Sequence, residues 1–549
     1  MADPRPQTRP RVLLIGLDGA TFDVIDPLIA AGRLPHIASL IARGTRSALL
    51  STIPIASWSA WPALMSGKHP GKHGVYHYHQ RDGYRERVIS SGDVRAEMVW
   101  ETLGRHGRRV AVIGVPVTYP PRRVNGVMVA GPPMPPGLHT HPAELAPALS
   151  LAVSGYPGVC LGVDWRAVHR LRGAGGLARH VERCFDLSLR ATLHVLRREE
   201  WDFLACVFCE LDRAQHLAPW PREANGAGAP ARRALMARCY EKADQVVGEL
   251  AAAAGAGATI ALVSDHGFGE NRRTFHLNRW LADQGLLALN CETNRRLRVV
   301  RRTLDQALGA IGFEVGGLLG GLPVWVPRWE RRRPLELLDW GRTRASGATA
   351  DLEGIYINLR GREPQGIVEP GAEYEEMRAA VIAMLQQVRD PDTGEPIVAW
   401  ARRREEVFHG PYLDRAPDVI YMTRDNSYPE SGRLDISGAI GADAAGRVGG
   451  HRREGIMVLA GPGIKRGQRL EQAQIVDVTP TLLRVLGLPI ADDLDGEVLT
   501  AALEEDDPAR RACASQPLPD PSAGEGEGLE YSAREQQAIE EQLRRRGYL

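Results

Sequence analysis

Acidic, imidazole and hydroxyl side chains recur in this sequence beside strand-like runs of apolar residues. They follow such a run, open a helix-like segment or lie in a glycine-bearing loop, and in chain order they are Asp18, Ser57, Asp212, His216, Asp265, His266 and His451. Carboxylates and imidazoles bind divalent cations such as zinc and manganese. Two such cations can hold the attacking and leaving oxygens of a phosphoryl displacement and activate a hydroxyl. The set therefore predicts a phosphoryl-transfer site.

The segments that must bring these side chains together alternate between strand-like and helix-like patterns. Strand-like runs lie at 12–17, 110–115, 203–209, 259–264, 355–359, 419–422 and 456–460, and helix-like segments at 96–106, 177–197, 233–254 and 477–486. This alternation predicts an α/β fold with a doubly wound, mostly parallel sheet and helices on both faces. Such sheets bind ligands at the carboxyl ends of their strands, where Asp18 and Asp265 lie.

Size and charge limit the classes of protein that this chain can belong to. Its 549 residues suffice for one large α/β domain with insertions, or for two or three domains. A net charge of +1 gives no field that favours nucleic acid or an acidic membrane. Residues 1–11 lack the apolar core of a signal peptide, and no uncharged apolar stretch reaches the roughly eighteen residues of a membrane span. We expect no nucleic-acid partner and no membrane span; the oligomeric state stays open.

The cysteines indicate the redox environment. There are seven, an odd number scattered along the chain, which favours a reducing cytoplasm. Cys206 and Cys209 have C-x-x-C spacing but lie inside the strand-like run 203–209, where their thiols would point to opposite faces. No second pair has the spacing of a zinc site. We interpret both as buried core residues of a cytoplasmic protein.

The order of the chemical residues and the sequence around them resemble the alkaline phosphatase superfamily. The branch that fits best is the type I phosphodiesterase/nucleotide pyrophosphatase group, and within it the bacterial and archaeal proteins described as predicted phosphohydrolases or phosphomutases. The similar segments include Gly-Leu-Asp-Gly at 16–19 and Ser-Asp-His-Gly at 264–267, and the others lie at 66–74, 275–281, 354–359 and 476–481. The resemblance implies an alkaline phosphatase-like fold and a two-metal phosphohydrolase of phosphatase or phosphodiesterase type.

The resemblance also implies a role for each member of the set. Two divalent metal ions are implied, with zinc as the first expectation and manganese as the alternative. The ligands would be Asp18, Asp265 and His266 for one ion, with Ser57 bridging, and Asp212, His216 and His451 for the other. Ser57 would attack phosphorus and form a phosphoserine intermediate, and Ser59 is the nearby alternative nucleophile.

The reaction stays open between several possibilities. Nucleotide pyrophosphatases carry an asparagine shortly after their His-Gly pair, and residues 75–78 here contain none. Residues 57–61 lack the Cys/Ser-x-Pro-x-Arg motif of sulfatases. We expect metal-dependent hydrolysis of a small-molecule phosphate ester, monoester or diester; the alternatives are a phosphomutase, or a metal-binding protein without turnover. Neighbouring residues interpreted as structural are His69, His73, Trp58 and Trp61, whereas His276 is a candidate substrate contact.

The domain organisation follows from shifts in composition. The expected division is a catalytic core at 1–293 and 345–503, an inserted cap at 294–344, and a linker with a C-terminal helix at 504–549. The start of that helix has the capping-box pattern, with Ser532 and Glu535 in the required positions. We expect substrate specificity to reside in the cap and in the Pro/Gly-rich loop at 132–165.

Overall fold

The computed structural model describes residues 9–156, 173–221, 229–290, 334–347, 353–432, 434, 438–441, 448–504, 515–516 and 530–545. Most of the expected cap at 294–344 and of the linker before the C-terminal helix lies outside the described residues, as does part of the loop at 132–165.

Strands and helices alternate through the described residues. The strands are β1 (Arg11–Leu17), β2 (Gly44–Leu50), β3 (His79–Asp82), β4 (Arg85–Val88), β5 (Val110–Ile113), β6 (Gly126–Val129), β7 (Thr140–His141), β8 (Phe203–Phe208), β9 (Ala258–Val263), β10 (Gly267–Glu270), β11 (Thr274–Phe275), β12 (Ala345–Gly347), β13 (Gly354–Ile357), β14 (Val398–Arg403), β15 (Val419–Thr423), β16 (Ile440–Gly441), β17 (Gly449–Arg452), β18 (Glu454–Ala460), β19 (Gln468–Arg469), β20 (Ala473–Gln474), β21 (Ile490–Ala491) and β22 (Ser515–Gln516). The helices are α1 (Phe22–Ala30), α2 (Pro35–Ala42), α3 (Ser57–Ser66), α4 (Pro70–His73), α5 (Val99–Arg105), α6 (Leu145–Ala152), α7 (Gly173–Arg198), α8 (Glu210–Leu217), α9 (Ala229–Ala254), α10 (Leu277–Asp283), α11 (Ala372–Leu385), α12 (Val478–Val485) and α13 (Ala533–Arg545).

The central sheet is mixed and mostly parallel, as the sequence predicted. Its order is β19-β2-β18-β9-β1-β8-β5-β6-β7, with β20 also paired to β2. Strands β9, β1, β8, β5 and β6 run parallel to one another, whereas β18 is antiparallel to β9 and β2, and β7 is antiparallel to β6. The register pairs Leu17 with Phe208, and Gly16 with Val263. The residues that follow β1, β8 and β9 therefore emerge at one edge of the sheet.

The sheet carries helices on both faces because its central strands bury side chains in both directions. In β1, Leu13 and Ile15 pack into one core, and Val12 and Leu14 pack into the other. Helices α1, α2, α7 and α9 contribute to the first core, and α3, α5, α12 and α13 to the second. This arrangement confirms the predicted fold class.

A second, antiparallel sheet has the order β12-β13-β15-β14. With α11 it encloses a separate core that includes Ile355, Val381 and Tyr421. The sequence correctly predicted strands at 355–359 and 419–422, but it did not indicate that they belong to a second sheet, separate from the central one. An apolar run shows that a strand forms, whereas its partner is set by contacts distant in sequence.

Two smaller expectations concern the cysteines and the membrane. Cys206 and Cys209 are buried, unpaired and packed into opposite cores, which confirms their interpretation as core residues. No single helix in the described ranges is long and apolar enough to cross a bilayer, whereas α1 and α2, bent by 100° at their junction, reach that length and composition together.

Candidate metal centre

Neighbouring parallel strands deliver the acidic side chains to one edge of the central sheet. Asp18 directly follows β1, and Asp265 follows β9 after a single serine. Asp212 lies in the first turn of α8, which begins just beyond β8, and His216 lies one turn later on the same face. Because β8, β1 and β9 are adjacent, these side chains converge although they are far apart in sequence.

Asp18, Asp265 and His266 form the first group. His266 Nε2 lies 3.6 Å from Asp18 Oδ1 and 3.4 Å from Asp265 Oδ2. Ser57 Oγ lies 3.4 Å from Asp18 Oδ1 and 3.2 Å from His266 Nε2. One potential ligand atom from each member of the group lies within 4.8 Å of the others, which suits a single cation.

Asp212, His216 and His451 form the second group. Asp212 Oδ1 lies 3.4 Å from His216 Nε2 and 3.2 Å from His451 Nε2, and the two nitrogen atoms are 3.2 Å apart. The antiparallel pair β10–β17, in which Phe268 faces His451, holds the latter in place. The rings of His266 and His451 stack with their centroids 3.7 Å apart, so the two groups adjoin.

Backbone carbonyls set the tautomers of all three histidines. Nδ1 lies 3.0 Å from the Gly267 oxygen in His266, 3.2 Å from the Gly449 oxygen in His216 and 3.0 Å from the Ile55 oxygen in His451. A carbonyl oxygen can only accept, so in the neutral ring Nδ1 carries the proton and Nε2 keeps a lone pair. A backbone partner on the second nitrogen is typical of metal-ligating histidines.

Burial perturbs the ionisation of the site. Burial and the charges of Asp265 and Asp212 raise the pKa of Asp18 well above its usual range, and burial with Asp212 raises the pKa of Asp265 to about 6. Burial would also raise the pKa of Asp212, but the neighbouring His216, His451 and Arg213 outweigh burial and lower that pKa. Burial lowers the pKa of both His216 and His266. At Asp18 and Asp265 the protein alone therefore does not offset the crowded negative charge.

The donor set fits two divalent cations. Asp212 Oδ1 and Asp265 Oδ2 are buried and make no hydrogen bond of ordinary geometry within the described part of the chain. Buried carboxylate oxygens without donors are costly unless a cation compensates them. Mixed oxygen and nitrogen ligands suit zinc and manganese alike.

The two candidate serines differ in their surroundings. Ser57 is half-buried, is the first residue of α3 and faces the first group of ligands. Ser59 is fully buried, and its hydroxyl lies 3.1 Å from both the Pro54 oxygen and Thr52 Oγ. The Ser59 hydroxyl is thus engaged in holding the loop before α3, whereas the Ser57 hydroxyl lies among the acids.

Sequence reasoning missed two neighbours of the acids. Trp61, interpreted as a core residue, is buried but also directs Nε1 at Asp18 Oδ2, 3.4 Å away. Its position one helical turn after Ser57, on the same face of α3, was the available signal. Arg213 places Nε 3.6 Å from Asp212 Oδ2. His69, His73 and His276 belong to neither group of ligands.

The chain is similar to a known sequence family and to several solved structures. The family model described as type I phosphodiesterase/nucleotide pyrophosphatase matches residues 12–443. Phosphonoacetate hydrolase from Sinorhizobium meliloti 1021 shares 16% identity with a TM-score of 0.47, covering 86% of this chain and 95% of that one. Human ectonucleotide pyrophosphatase/phosphodiesterase 5 shares 13% identity with a TM-score of 0.49, covering 90% and 100%. The murine protein of the same name shares 12% identity with a TM-score of 0.48, covering 87% and 95%.

Proposed function

This chain belongs to the type I phosphodiesterase/nucleotide pyrophosphatase family, a family of phosphohydrolases, and from that premise we propose that it hydrolyses a small-molecule phosphate ester through a phosphoserine intermediate on Ser57. The observation that carries the proposal is the position of the Ser57 hydroxyl, 3.4 Å from Asp18 Oδ1 and 3.2 Å from His266 Nε2. A free serine hydroxyl is protonated at neutral pH and is a poor nucleophile, so it needs such surroundings to react.

The two ligand groups would hold the metal ions that the family implies. Asp18, Asp265 and His266 would bind one ion and Asp212, His216 and His451 the other, with Ser57 next to the first. Bound divalent ions would favour the ionised hydroxyl and neutralise charge on the phosphoryl oxygens. We propose zinc as the resident metal, with manganese as the alternative.

The remaining steps use residues of this chain. Ser57 Oγ gives up its proton and attacks phosphorus in line with the ester oxygen, the P–O bond to that oxygen breaks, and the oxygen takes up a proton and leaves as the alcohol. Helix α3 starts at Ser57, so its dipole favours negative charge beside that hydroxyl. Water then attacks phosphorus, the bond from phosphorus to Ser57 Oγ breaks, and Oγ takes up a proton again. The product that departs is phosphate from a monoester, or a phosphate monoester from a diester. We propose that the ester enters on the side of Ser57 and His451, because both residues are half-buried whereas the acids behind them are buried.

Three further assignments rest on the sequence alone. We propose that 294–344 form a cap inserted between two parts of one catalytic core, that the chain resides in the cytoplasm, and that the ester is chosen by the cap and the loop at 132–165. A phosphomutase, which would return the phosphoryl group to its substrate, is the second candidate reaction.

The test compares turnover of p-nitrophenyl phosphate and bis-p-nitrophenyl phosphate, with zinc or manganese, in the wild type, Ser57→Ala and the control Ser59→Ala. We expect Ser57→Ala to lose about a thousandfold or more in kcat, because the attacking group is gone. Ser59→Ala should keep turnover within about tenfold and lose stability, since a buried hydrogen bond disappears.

Acid quenching of a reaction with phosphorus-labelled substrate, followed by peptide mapping, locates the intermediate. Label on the peptide that contains Ser57 supports the proposal. Full activity in Ser57→Ala, or label on another residue, would refute the assignment of the nucleophile. Transfer of label to an added alcohol, with little release of phosphate, would favour the phosphomutase.

A further inference from the structure

A buried network of hydrogen bonds, here called the Gly19 network, joins the first ligand group to helix α9. It consists of Asp265, Gly19, Gln215, Tyr240 and Thr21. The Gly19 N–H donates to Asp265 Oδ1 at 3.3 Å, and Gln215 Nε2 donates to the Gly19 oxygen at 2.8 Å. Tyr240 contributes the hydroxyl that lies 3.0 Å from Gln215 Oε1.

The partners fix the direction of each bond. The Tyr240 hydroxyl accepts from the Thr21 N–H at 3.3 Å, which leaves its own proton to be donated to Gln215 Oε1. The amide nitrogen of Gln215 then faces the Gly19 oxygen, which can only accept. Gln215 and Tyr240 are at most 1% exposed, so bulk water does not compete for these hydrogen bonds.

Gly19 lies close to segments that carry ligands of both groups. It adopts φ +72° in a turn that the Ala20 N–H closes on the Leu17 oxygen. A Cβ at this position would lie 3.3 Å from the Asp212 Cα. Gly19 thus follows Asp18 directly, donates to Asp265 of the same ligand group, and lies beside Asp212 of the other group.

We propose that Gln215 and Tyr240 are positioning residues that hold the Gly19 backbone, and through it Asp18 and Asp265, in the geometry that binds the first metal ion. The proposal rests on the metal-binding function assigned above and deepens it. Gln215 lies on α8 between Asp212 and His216 and donates to the Gly19 oxygen, so it links the helix that carries one ligand group to the turn that follows Asp18 in the other. Tyr240 acts one residue further away, on a helix that carries no ligand.

The test is isothermal titration of the metal-free protein with zinc and, separately, with manganese. Tyr240→Phe removes one hydroxyl from the network and keeps the ring in the core. Tyr428→Phe is the matched control, because Tyr428 is also fully buried and its hydroxyl donates to Asp390 Oδ2 at 2.7 Å, outside the network. Gln215→Met is the second variant, and it tests the same network if Tyr240→Phe does not fold.

We expect one of the two metal-binding steps to weaken by about fivefold in Tyr240→Phe and by about tenfold in Gln215→Met, since partners beyond the ligands tune metal affinity. Tyr428→Phe should bind as the wild type does. Excess metal should restore turnover in Tyr240→Phe, which a general loss of packing would not allow.

The outcomes separate this proposal from the proposed function. Unchanged metal affinity in both Tyr240→Phe and Gln215→Met, with a wild type that binds two ions, would overturn the positioning role alone. Equal weakening in Tyr428→Phe would also overturn it, because the effect would then be one of stability. A wild type that binds neither metal would overturn the metal-binding function and this proposal with it.

Discussion

The position of Trp61 depends on the absence of a side chain at Gly16. Its ring occupies the space over Gly16 in β1, and from there Nε1 reaches Asp18 Oδ2 at 3.4 Å. A Cβ at Gly16 would lie 2.4 Å from Trp61 Cη2 and 3.0 Å from Val207 Cγ2. The indole of Trp61 is rigid and has no flexible end that could rotate away from this contact. The whole ring would therefore have to move.

We predict that Gly16→Ala displaces Trp61 and impairs the site. Overpacking of this kind costs about 1–3 kcal/mol of stability. Loss of the indole donor also loosens Asp18, so metal-dependent turnover of the nitrophenyl esters should fall by about tenfold or more. Thermal unfolding and kcat are the measurements. Gly257→Ala is the control, because a Cβ there meets nothing within 4 Å; equal behaviour of the two variants would contradict the role assigned to Trp61.

At the scale of elements, the sequence predicts strands better than it predicts their partners. The runs that became β1, β8 and β9 are buried throughout and end beside acids, so both the strands and their chemistry were visible. His451 was expected in a loop and instead lies on β17. Its segment Gly-Gly-His-Arg has no apolar alternation, and only pairing with β10 makes it a strand.

The C-terminal helix α13 is an element whose start was predicted correctly. Ser532 and Glu535 form the capping box, with the Ser532 N–H 2.9 Å from Glu535 Oε2 and the Glu535 N–H 3.3 Å from Ser532 Oγ. Glu535 also accepts from the Tyr119 hydroxyl, a contact distant in sequence that no local pattern announces. Buried Ile539 and Leu543 attach the helix to the second core.

We predict that Glu535→Ala loosens α13 without disturbing the catalytic site. The loss of the cap and of the bond from Tyr119 should cost about 1–2 kcal/mol. Hydrogen exchange should accelerate in α13 by about tenfold, while β1 and β9 keep their protection. Gln537→Ala, an exposed substitution on the same helix, should leave the exchange rates near those of the wild type. Unchanged exchange in Glu535→Ala would show that apolar burial alone holds the helix.

At the scale of the whole molecule, α4 joins the part built on the central sheet to the part built on the second sheet. The Tyr412 N–H donates to the Gly71 oxygen at 3.0 Å, and Arg415 Nη1 donates to the Gly74 oxygen at 3.2 Å. The Pro/Gly-rich turn at 69–74 was predicted to contain two structural histidines, His69 and His73. What it did not reveal is the partner segment, which lies more than three hundred residues away in sequence.

His73, at the end of α4, is fully buried at this junction. Its Nδ1 accepts from the Val75 N–H at 3.2 Å, so a second proton could bind only by breaking that bond. Burial, and to a smaller extent His69, lowers the pKa of His73 to about 3, although Asp495 opposes the shift. The folded protein therefore holds this ring neutral through the range in which an unfolded histidine, with a pKa near 6.5, becomes charged.

We predict that His73 makes the junction sensitive to acid. Its folded pKa lies below its unfolded pKa, so its contribution to stability is fully present above about pH 6.5 and falls as the pH drops towards 3, by up to about 1.4 kcal/mol per pH unit. In His73→Gln, which cannot titrate and keeps an acceptor for the Val75 N–H, the free energy of unfolding by urea should depend less steeply on pH between 6.5 and 5. The exposed His106→Gln should keep the wild-type slope. Parallel curves for the wild type and His73→Gln would contradict the assignment, because a buried neutral histidine must take up a proton when the junction opens.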